Sequence, residues 1–198
     1  MGKGRIEAFS DGVLAVIITI MVLELHAPHE ATFSSLLEEA PPFLAYVLSF
    51  VYIGIYWNNH HHMFQAVDHV TGAMLWANNH LLFWLSLVPF ATDWMGENHF
   101  VSNPVAAYGF VLLMCGVAYF ILQQLIIRSQ GPHSRLKRLV GRDFKGRFSP
   151  LFYAIAIALA FVAPAISEAI YVLVALMWII PDRRIEGPLA QEPPGEPE

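Results

Sequence analysis

Residues 12–23 read GVLAVIITIMVL, an apolar run that is interrupted only by the hydroxyl group of Thr19. The run lies within a longer stretch, from about Ala8 to Leu25, close to the ~20 mostly apolar residues with which a helix crosses a bilayer. Of the 198 residues in the chain, 56% are hydrophobic and 14% are charged. Soluble domains carry about 25% charged residues, so this composition indicates an integral membrane protein.

Further apolar stretches follow the first. They are residues 41–64, 72–94, 104–127 and 149–180. The pair Pro41–Pro42 suits the first turn of a helix, and Pro89 should kink the third span. Pro164 divides the last stretch and favours a tight hairpin of two helices. The sequence therefore predicts an all-α integral membrane fold with six transmembrane helices.

The charges indicate the orientation of these spans. With six spans, all 11 Lys and Arg residues fall on one side: Lys3, Arg5, seven residues within 128–147, Arg183 and Arg184. The other side carries acids such as Glu30, Glu38, Glu39 and Glu97. The positive-inside rule then places both termini in the cytoplasm, with the protein in the cell (inner) membrane. The basic segment 128–147 is interpreted as a topology signal that contacts lipid, not nucleic acid.

Two assignments concern the chain ends. The first apolar stretch is expected to be a retained helix and not a signal peptide, because Glu7 and Asp11 interrupt it and no small-residue cleavage site follows. Residues 1–184 form the predicted transmembrane domain. Residues 185–198, rich in Pro and Glu, form a predicted disordered cytoplasmic tail.

The first helix carries one polar end and one apolar stripe. Gly12, Val16, Thr19, Ile20 and Leu23 fall within about ±60° of one line on a helical wheel. Such a stripe is more often a packing face than a pore lining.

Asp11 lies about 140° around the helix from Val16. The favoured interpretation is that Asp11 is held by polar groups of neighbouring helices, and contact with a permeating ion is the alternative.

Three consecutive histidines, His60 to His62, raise a metal site as a hypothesis. Adjacent helical side chains diverge by about 100°, so the three cannot bind one ion, and no metal site is predicted. We expect one or two of them to hydrogen-bond inward, with Asp11 as a candidate partner. Trp76, Asn78, Asn79 and His80 should lie on the same side of the membrane, which predicts a polar network.

Catalytic motifs and a disulfide framework are absent. The chain has no Gly-x-Ser-x-Gly, His-Glu-x-x-His, P-loop or dinucleotide fingerprint, so neither an enzyme nor a cofactor is predicted. Its one cysteine, Cys115, is interpreted as an apolar packing residue.

The segment Arg5-Ile-Glu-Ala-Phe9-Ser10-Asp11 resembles the Arg-x-x-x-Phe-Ser-Asp signature of the transmembrane protein 175 family of potassium channels. The segments 57–61, 76–78 and 87–92 also look like the family pattern, so motifs cover roughly the first half of the chain. The resemblance implies a six-helix repeat that forms a homotetramer, with the first helix of each copy lining a central pore.

The resemblance also implies roles for individual residues. The family's narrowing falls on Val16, with Thr19, Ile20 and Leu23 lining the path further out. Arg5, Ser10, Asp11, His60 or His61, Trp76 and Asn78 correspond to a network that supports the pore helix. The narrowing often carries Leu or Ile, so Val16 implies a wider hydrophobic gate or a tightest point at Ile20 or Leu23.

The expected function is a weakly to moderately potassium-selective leak channel with a hydrophobic gate. A membrane scaffold without conduction and a histidine-dependent metal transporter or membrane enzyme are the alternatives. Proton conduction beside potassium is left open.

Overall fold

The computed structural model describes residues 2–67, 69–131, 134, 136–137 and 144–179. These residues form helices and connecting turns, with no strand among them, which confirms the all-α prediction. Within the described part of the chain, eight helices follow one another: α1 (Lys3–Leu23), α2 (Phe33–Glu38), α3 (Ala40–Gln65), α4 (Gly72–Ser86), α5 (Val88–Glu97), α6 (Ser102–Ser129), α7 (Phe144–Leu159) and α8 (Pro164–Ile179).

Three of these helices, α1, α3 and α6, are long and apolar enough to cross a membrane. The third predicted span is two helices, because Pro89 near the start of α5 has no N–H to continue the ladder of α4 and the chain turns at Leu87. The predicted hairpin is confirmed, since α7 ends at Leu159 and α8 begins at Pro164. The number of helices that cross the bilayer stays a prediction.

Hydrogen bonds show which helix ends lie together. Lys3 Nζ donates to the backbone carbonyl of Gln65 at 3.3 Å, which joins the start of α1 to the end of α3. The side chain of Gln130, directly after α6, donates to the backbone carbonyl of Ala66. The start of α1 therefore lies at the same end of the bundle as the ends of α3 and α6.

The start of α7 and the end of α8 also lie together. Trp178 Nε1, near the end of α8, donates to Ser149 Oγ, near the start of α7, at 2.8 Å. Both residues line one cavity with Asn59 of α3 and Gln123 of α6. This end of the bundle, which we call the basic end, carries the described cations Lys3, Arg5, Arg128, Lys137 and Lys145.

Of the other predicted cations, Arg147 belongs to α7. Arg135, Arg138, Arg142, Arg183, Arg184 and residues 185–198 lie outside the described residues.

Buried tyrosines hold the helices together. Tyr52 Oη donates to the backbone carbonyl of Tyr171 at 2.6 Å, and Tyr171 Oη donates to that of Val105 at 3.1 Å. These bonds join α3, α6 and α8. Each pairs a hydroxyl that would otherwise be unsatisfied in an apolar interior. Cys115 is fully buried in the same core, as predicted for a packing residue.

The packing of α6 against α8 depends on Gly109. A Cβ added at Gly109 would overlap the hydroxyl of Tyr171 and lie 2.6 Å from its Cζ. Tyr171 is fully buried and has little room to move. We therefore expect Gly109→Ala to lower the free energy of unfolding by about 1–3 kcal/mol, measured by thermal unfolding of the purified protein in detergent.

Gly116, on the same helix, provides the control. A Cβ there would meet atoms only at 3.9 Å, so Gly116→Ala should preserve stability or raise it by about 0.5–1 kcal/mol. Equal effects of the two substitutions would contradict the proposed tight contact.

Candidate functional site

A buried polar cluster, consisting of Ser10, His60 and Asn78, joins α1, α3 and α4. Asn78 Nδ2 donates to Ser10 Oγ at 3.0 Å, and Asn78 Oδ1 lies 2.8 Å from His60 Nε2. Because an amide oxygen only accepts, His60 Nε2 is the donor in this arrangement. One amide thus links all three helices near the basic end.

Asp11 is held by a tryptophan and not by the predicted histidine. Trp57 Nε1 donates to Asp11 Oδ1 at 3.0 Å. The Trp57 ring stacks on His61, with centroids 6.3 Å apart and planes at 15°. His61 Nε2 in turn lies 2.9 Å from Gln65 Nε2. Anchoring of Asp11 by a neighbouring helix is therefore present, with an indole as the donor.

Three residues of the predicted supporting network take no part in the hydrogen bonds around Ser10 and Asp11 described above. Arg5, Phe9 and Trp76 are exposed on the surface of the single chain. Trp76 is 78% exposed, whereas Asn78 is buried. Two residues apart on α4, they point to nearly opposite sides by the ~100° step of a helix. The supporting roles of Arg5, Phe9 and Trp76 stay predictions.

The three histidines diverge, as the helical step requires. His60 contacts Asn78 and His61 contacts Gln65. His62 Nδ1 is buried and has no hydrogen-bond partner among the described residues. Within the same ranges, no group of three or more His, Cys, Asp or Glu side chains is arranged to hold a metal ion.

α1 has one buried face and one exposed face. The buried residues are Ile6, Ser10, Leu14, Ile17 and Met21, at helical spacing. On the other side, Val16 is 58% exposed, Ile20 41% and Leu23 73%, and Gly12 and Thr19 are exposed as well. The chain therefore does not bury the predicted stripe against itself.

Thr19 is the polar member of this exposed stripe. Its hydroxyl donates to the backbone carbonyl of Ala15 at 2.8 Å. The hydrogen is thus used within the helix, and Oγ1 retains lone pairs that can accept from water or coordinate a cation.

An open pocket of about 790 Å³ lies at the opposite end of the bundle. It is formed by the segment between α1 and α3 and by the end of α5, and we call it the acidic pocket. It is lined by Glu30, Glu38, Glu39, Asp93 and Glu97, together with His26, His29 and His99. Clustered carboxylates raise the local concentration of cations.

The bond between Trp57 and Asp11 was not predicted from the sequence. The signal was present, because Trp57 lies one helical turn before His61 and near the same end of the membrane as Asp11. The short helix α2 was not predicted either.

Known proteins resemble this chain over most of its length. The family model "Endosomal/lysosomal potassium channel TMEM175" matches residues 5–89. A protein of Chryseobacterium sp. (strain P1-3), named a potassium channel, is 56% identical over 191 residues, which are 96% of this chain and 100% of that protein.

Two other similarities extend the comparison. The crystal structure of a lysosomal potassium-selective channel TMEM175 homolog from Chamaesiphon minutus matches with a TM-score of 0.80 and 29% identity, covering 90% of this chain and 96% of that one. The endosomal/lysosomal proton channel TMEM175 of Gallus gallus is 34% identical over 109 residues, which span 49% of this chain and 22% of that protein.

The apolar helices and the buried polar cluster between them define a multi-pass helical membrane protein. The identity of 56% across nearly the whole chain then gives the family. The chain belongs to the TMEM175 family, which confirms the resemblance carried by residues 5–11.

The cluster's energetic role can be tested at Asn78. Asn78→Leu removes the partner of both Ser10 and His60, and each buried polar group left unpaired costs about 1–3 kcal/mol. We expect a clear fall in melting temperature of the purified protein in detergent.

Asn79→Leu is the matched control, since Asn79 is exposed on the same helix. It should leave the melting temperature nearly unchanged. A melting temperature equally insensitive to Asn78→Leu would show that the cluster does not stabilise the fold.

Proposed function

We propose that this protein is a potassium-permeable cation channel that assembles as a homotetramer, with four copies of α1 lining a central pore. Relatives from three bacteria that align with most of this chain are named potassium channels, which supports the permeant ion. The observation that carries the proposal is the exposed apolar face of α1, which includes Val16 at 58% and Leu23 at 73% exposure. A pore-lining helix requires such a face.

Val16, Ile20 and Leu23 act as the hydrophobic gate in this proposal. A narrow ring of four apolar side chains cannot hold a continuous column of water, so ions cannot cross until the ring widens. Thr19 places four hydroxyl oxygens on the same axis. Because their hydrogens are used within the helix, these oxygens are acceptors and replace part of a cation's hydration shell. Selectivity is accordingly weak to moderate and the conductance is a leak.

The polar contacts around Ser10 and Asp11 position the pore helix. Ser10 is bonded to Asn78 of α4, and Asp11 to Trp57 of α3, on the side away from the stripe. These bonds fix the rotation of α1 and so determine which side chains reach the axis. Arg5, Phe9, His61 and Trp76 complete this support in the assembled protein.

We assign six transmembrane spans, with α4 and α5 forming one of them. Both termini are cytoplasmic and the protein resides in the cell (inner) membrane. The gathering of described cations at one end of the bundle and of carboxylates at the other supports this orientation. The acidic pocket then faces outward and attracts cations to the pore entrance.

Protons are a second candidate permeant ion. Vertebrate relatives, including those of Gallus gallus and Danio rerio, are named proton channels. These two relatives align with 49% and 46% of this chain, and this chain covers 22% and 20% of their own length. A proton current beside the potassium current is compatible with the same pore.

The gate is tested by reconstituting purified protein in liposomes with a metal chelator present. Wild-type protein should pass potassium without any added cofactor. Val16→Asn should increase the flux severalfold, because a polar ring retains water in the constriction. A fluorescence assay driven by a potassium gradient measures the flux through the wild-type protein and through Val16→Asn.

Val22→Asn is the control, because Val22 is also exposed but lies about 120° around the helix from Val16. It should leave the flux unchanged. A wild-type protein that passes no ion favours the scaffold alternative. Transport that appears only when the chelator is replaced by a transition metal favours a metal transporter.

Thr19 is tested by its effect on selectivity. Thr19→Val keeps the shape of the side chain but removes its oxygen, so the potassium-to-sodium permeability ratio should change. Reversal potentials in planar bilayers with potassium and sodium on opposite sides measure this ratio. Thr19→Ser keeps the hydroxyl and should retain the wild-type value. An unchanged ratio in Thr19→Val would exclude a role for this oxygen in selectivity.

A further inference from the structure

We propose that α2 is an interfacial helix that inserts Phe33, Leu36 and Leu37 into the bilayer leaflet at the acidic end of the bundle. The partner is the boundary between headgroups and acyl chains. This inference requires a membrane-spanning bundle but does not require conduction.

The exposed side chains of α2 separate into two faces. Phe33 is 87% exposed, Leu36 54% and Leu37 73%. Their spacing of three and four residues places them on one side of the helix. On the other side, Ser34, Ser35 and Glu38 line the acidic pocket. The helix therefore presents a continuous apolar face away from the pocket.

Local hydrogen bonds fix this orientation. Thr32 Oγ1 caps the helix by accepting from the backbone N–H of Ser35 at 3.2 Å. Ser35 Oγ donates to the backbone carbonyl of Glu30 at 2.7 Å. Polar groups at the start of α2 are thus satisfied within the loop, which permits the helix to lie close to an apolar phase.

The chain path places α2 at the membrane surface. α2 ends at Glu38 and α3 begins at Ala40, so one residue separates it from a helix that is long and apolar enough to span. Consecutive Cα atoms are about 3.8 Å apart, so α2 cannot lie far from the point where α3 enters the bilayer. Exposed apolar side chains continue onto α3 at Phe43, Leu44 and Val47.

The charges identify the kind of insertion. Between residues 6 and 127 the chain contains no Lys or Arg, so α2 has no cation with which to bind anionic headgroups. Insertion must rest on the apolar face alone, unlike the basic amphipathic helices that depend on anionic lipid. Binding should therefore be the same in neutral and in anionic bilayers.

Site-directed spin labelling tests the proposal in the full chain. Single cysteines replace Phe33, Leu37 or Ser34 in a Cys115→Ala background, or in Cys115→Ser should the first fail to fold. Each is labelled with a nitroxide and reconstituted in phosphatidylcholine liposomes. Labels at Phe33→Cys and Leu37→Cys should collide severalfold more with oxygen, which concentrates in lipid, than with a water-soluble nickel chelate. Ser34→Cys should show the reverse.

Three results would overturn the proposal. Equal access of the nickel chelate to all three labels would place α2 in water. The labels at positions 33 and 37 could instead be protected from both reagents, and their spectral lines could be broadened by spin–spin coupling. This result would show that a second copy of the chain covers this face. Oxygen access that appears only after phosphatidylglycerol is added would indicate attraction to anionic lipid instead of apolar insertion.

Discussion

The side-chain amide of Asn78 constrains how three helices of this protein fit together. In a hydrocarbon environment an unpaired polar group is costly, so Ser10 and His60 must each find a partner within the bundle. Asn78 meets both needs with its two ends, donating to Ser10 and accepting from His60. Once Ser10 points inward, the helical period sends Leu14, Ile17 and Met21 inward with it and leaves Val16, Thr19 and Leu23 on the other side. The orientation of the proposed pore face is thus set by a hydrogen bond made near the beginning of the helix.

Hydrogen bonds between buried polar side chains join other helices of the bundle as well. Thr92 Oγ1 donates to the backbone carbonyl of Val88 at 2.7 Å and lies 2.6 Å from Ser49 Oγ. This pair of hydroxyl groups links α5 to α3, in the part of the chain that follows the break at Leu87. Small residues allow neighbouring helices to approach closely, as at Gly109, which the ring and hydroxyl of Tyr171 contact. Polar side chains therefore specify how apolar helices fit together, because apolar surfaces in lipid offer little preference for one another.

Much of this architecture was predictable from the sequence. Long apolar runs and the prolines near positions 41, 89 and 164 located the helices and their breaks, because those signals are local. The first helix was expected from about Ala8 but begins at Lys3, since polar residues at a membrane surface do not interrupt a helix. The motif residues Ser10, His60 and Asn78 were expected near one another and form the polar cluster.

Partner choice was harder to predict. That Asp11 pairs with Trp57 and not with a histidine depends on the rotation of α3, which a pattern on one helix does not report. Helix α2 was missed because six residues are too few to produce a clear periodic signal. Whether copies meet along α1 depends on surfaces of several chains at once, and a single sequence gives that only through family resemblance.

The tyrosine contacts inside the bundle bear on how protons would cross. A relay requires each group to accept a proton on one side and release another on the other. Tyr52 and Tyr171 both hand their hydrogens to backbone carbonyls, which have none to pass on. In this arrangement neither hydroxyl donates its hydrogen to another titratable side chain, so these two bonds do not form a proton relay.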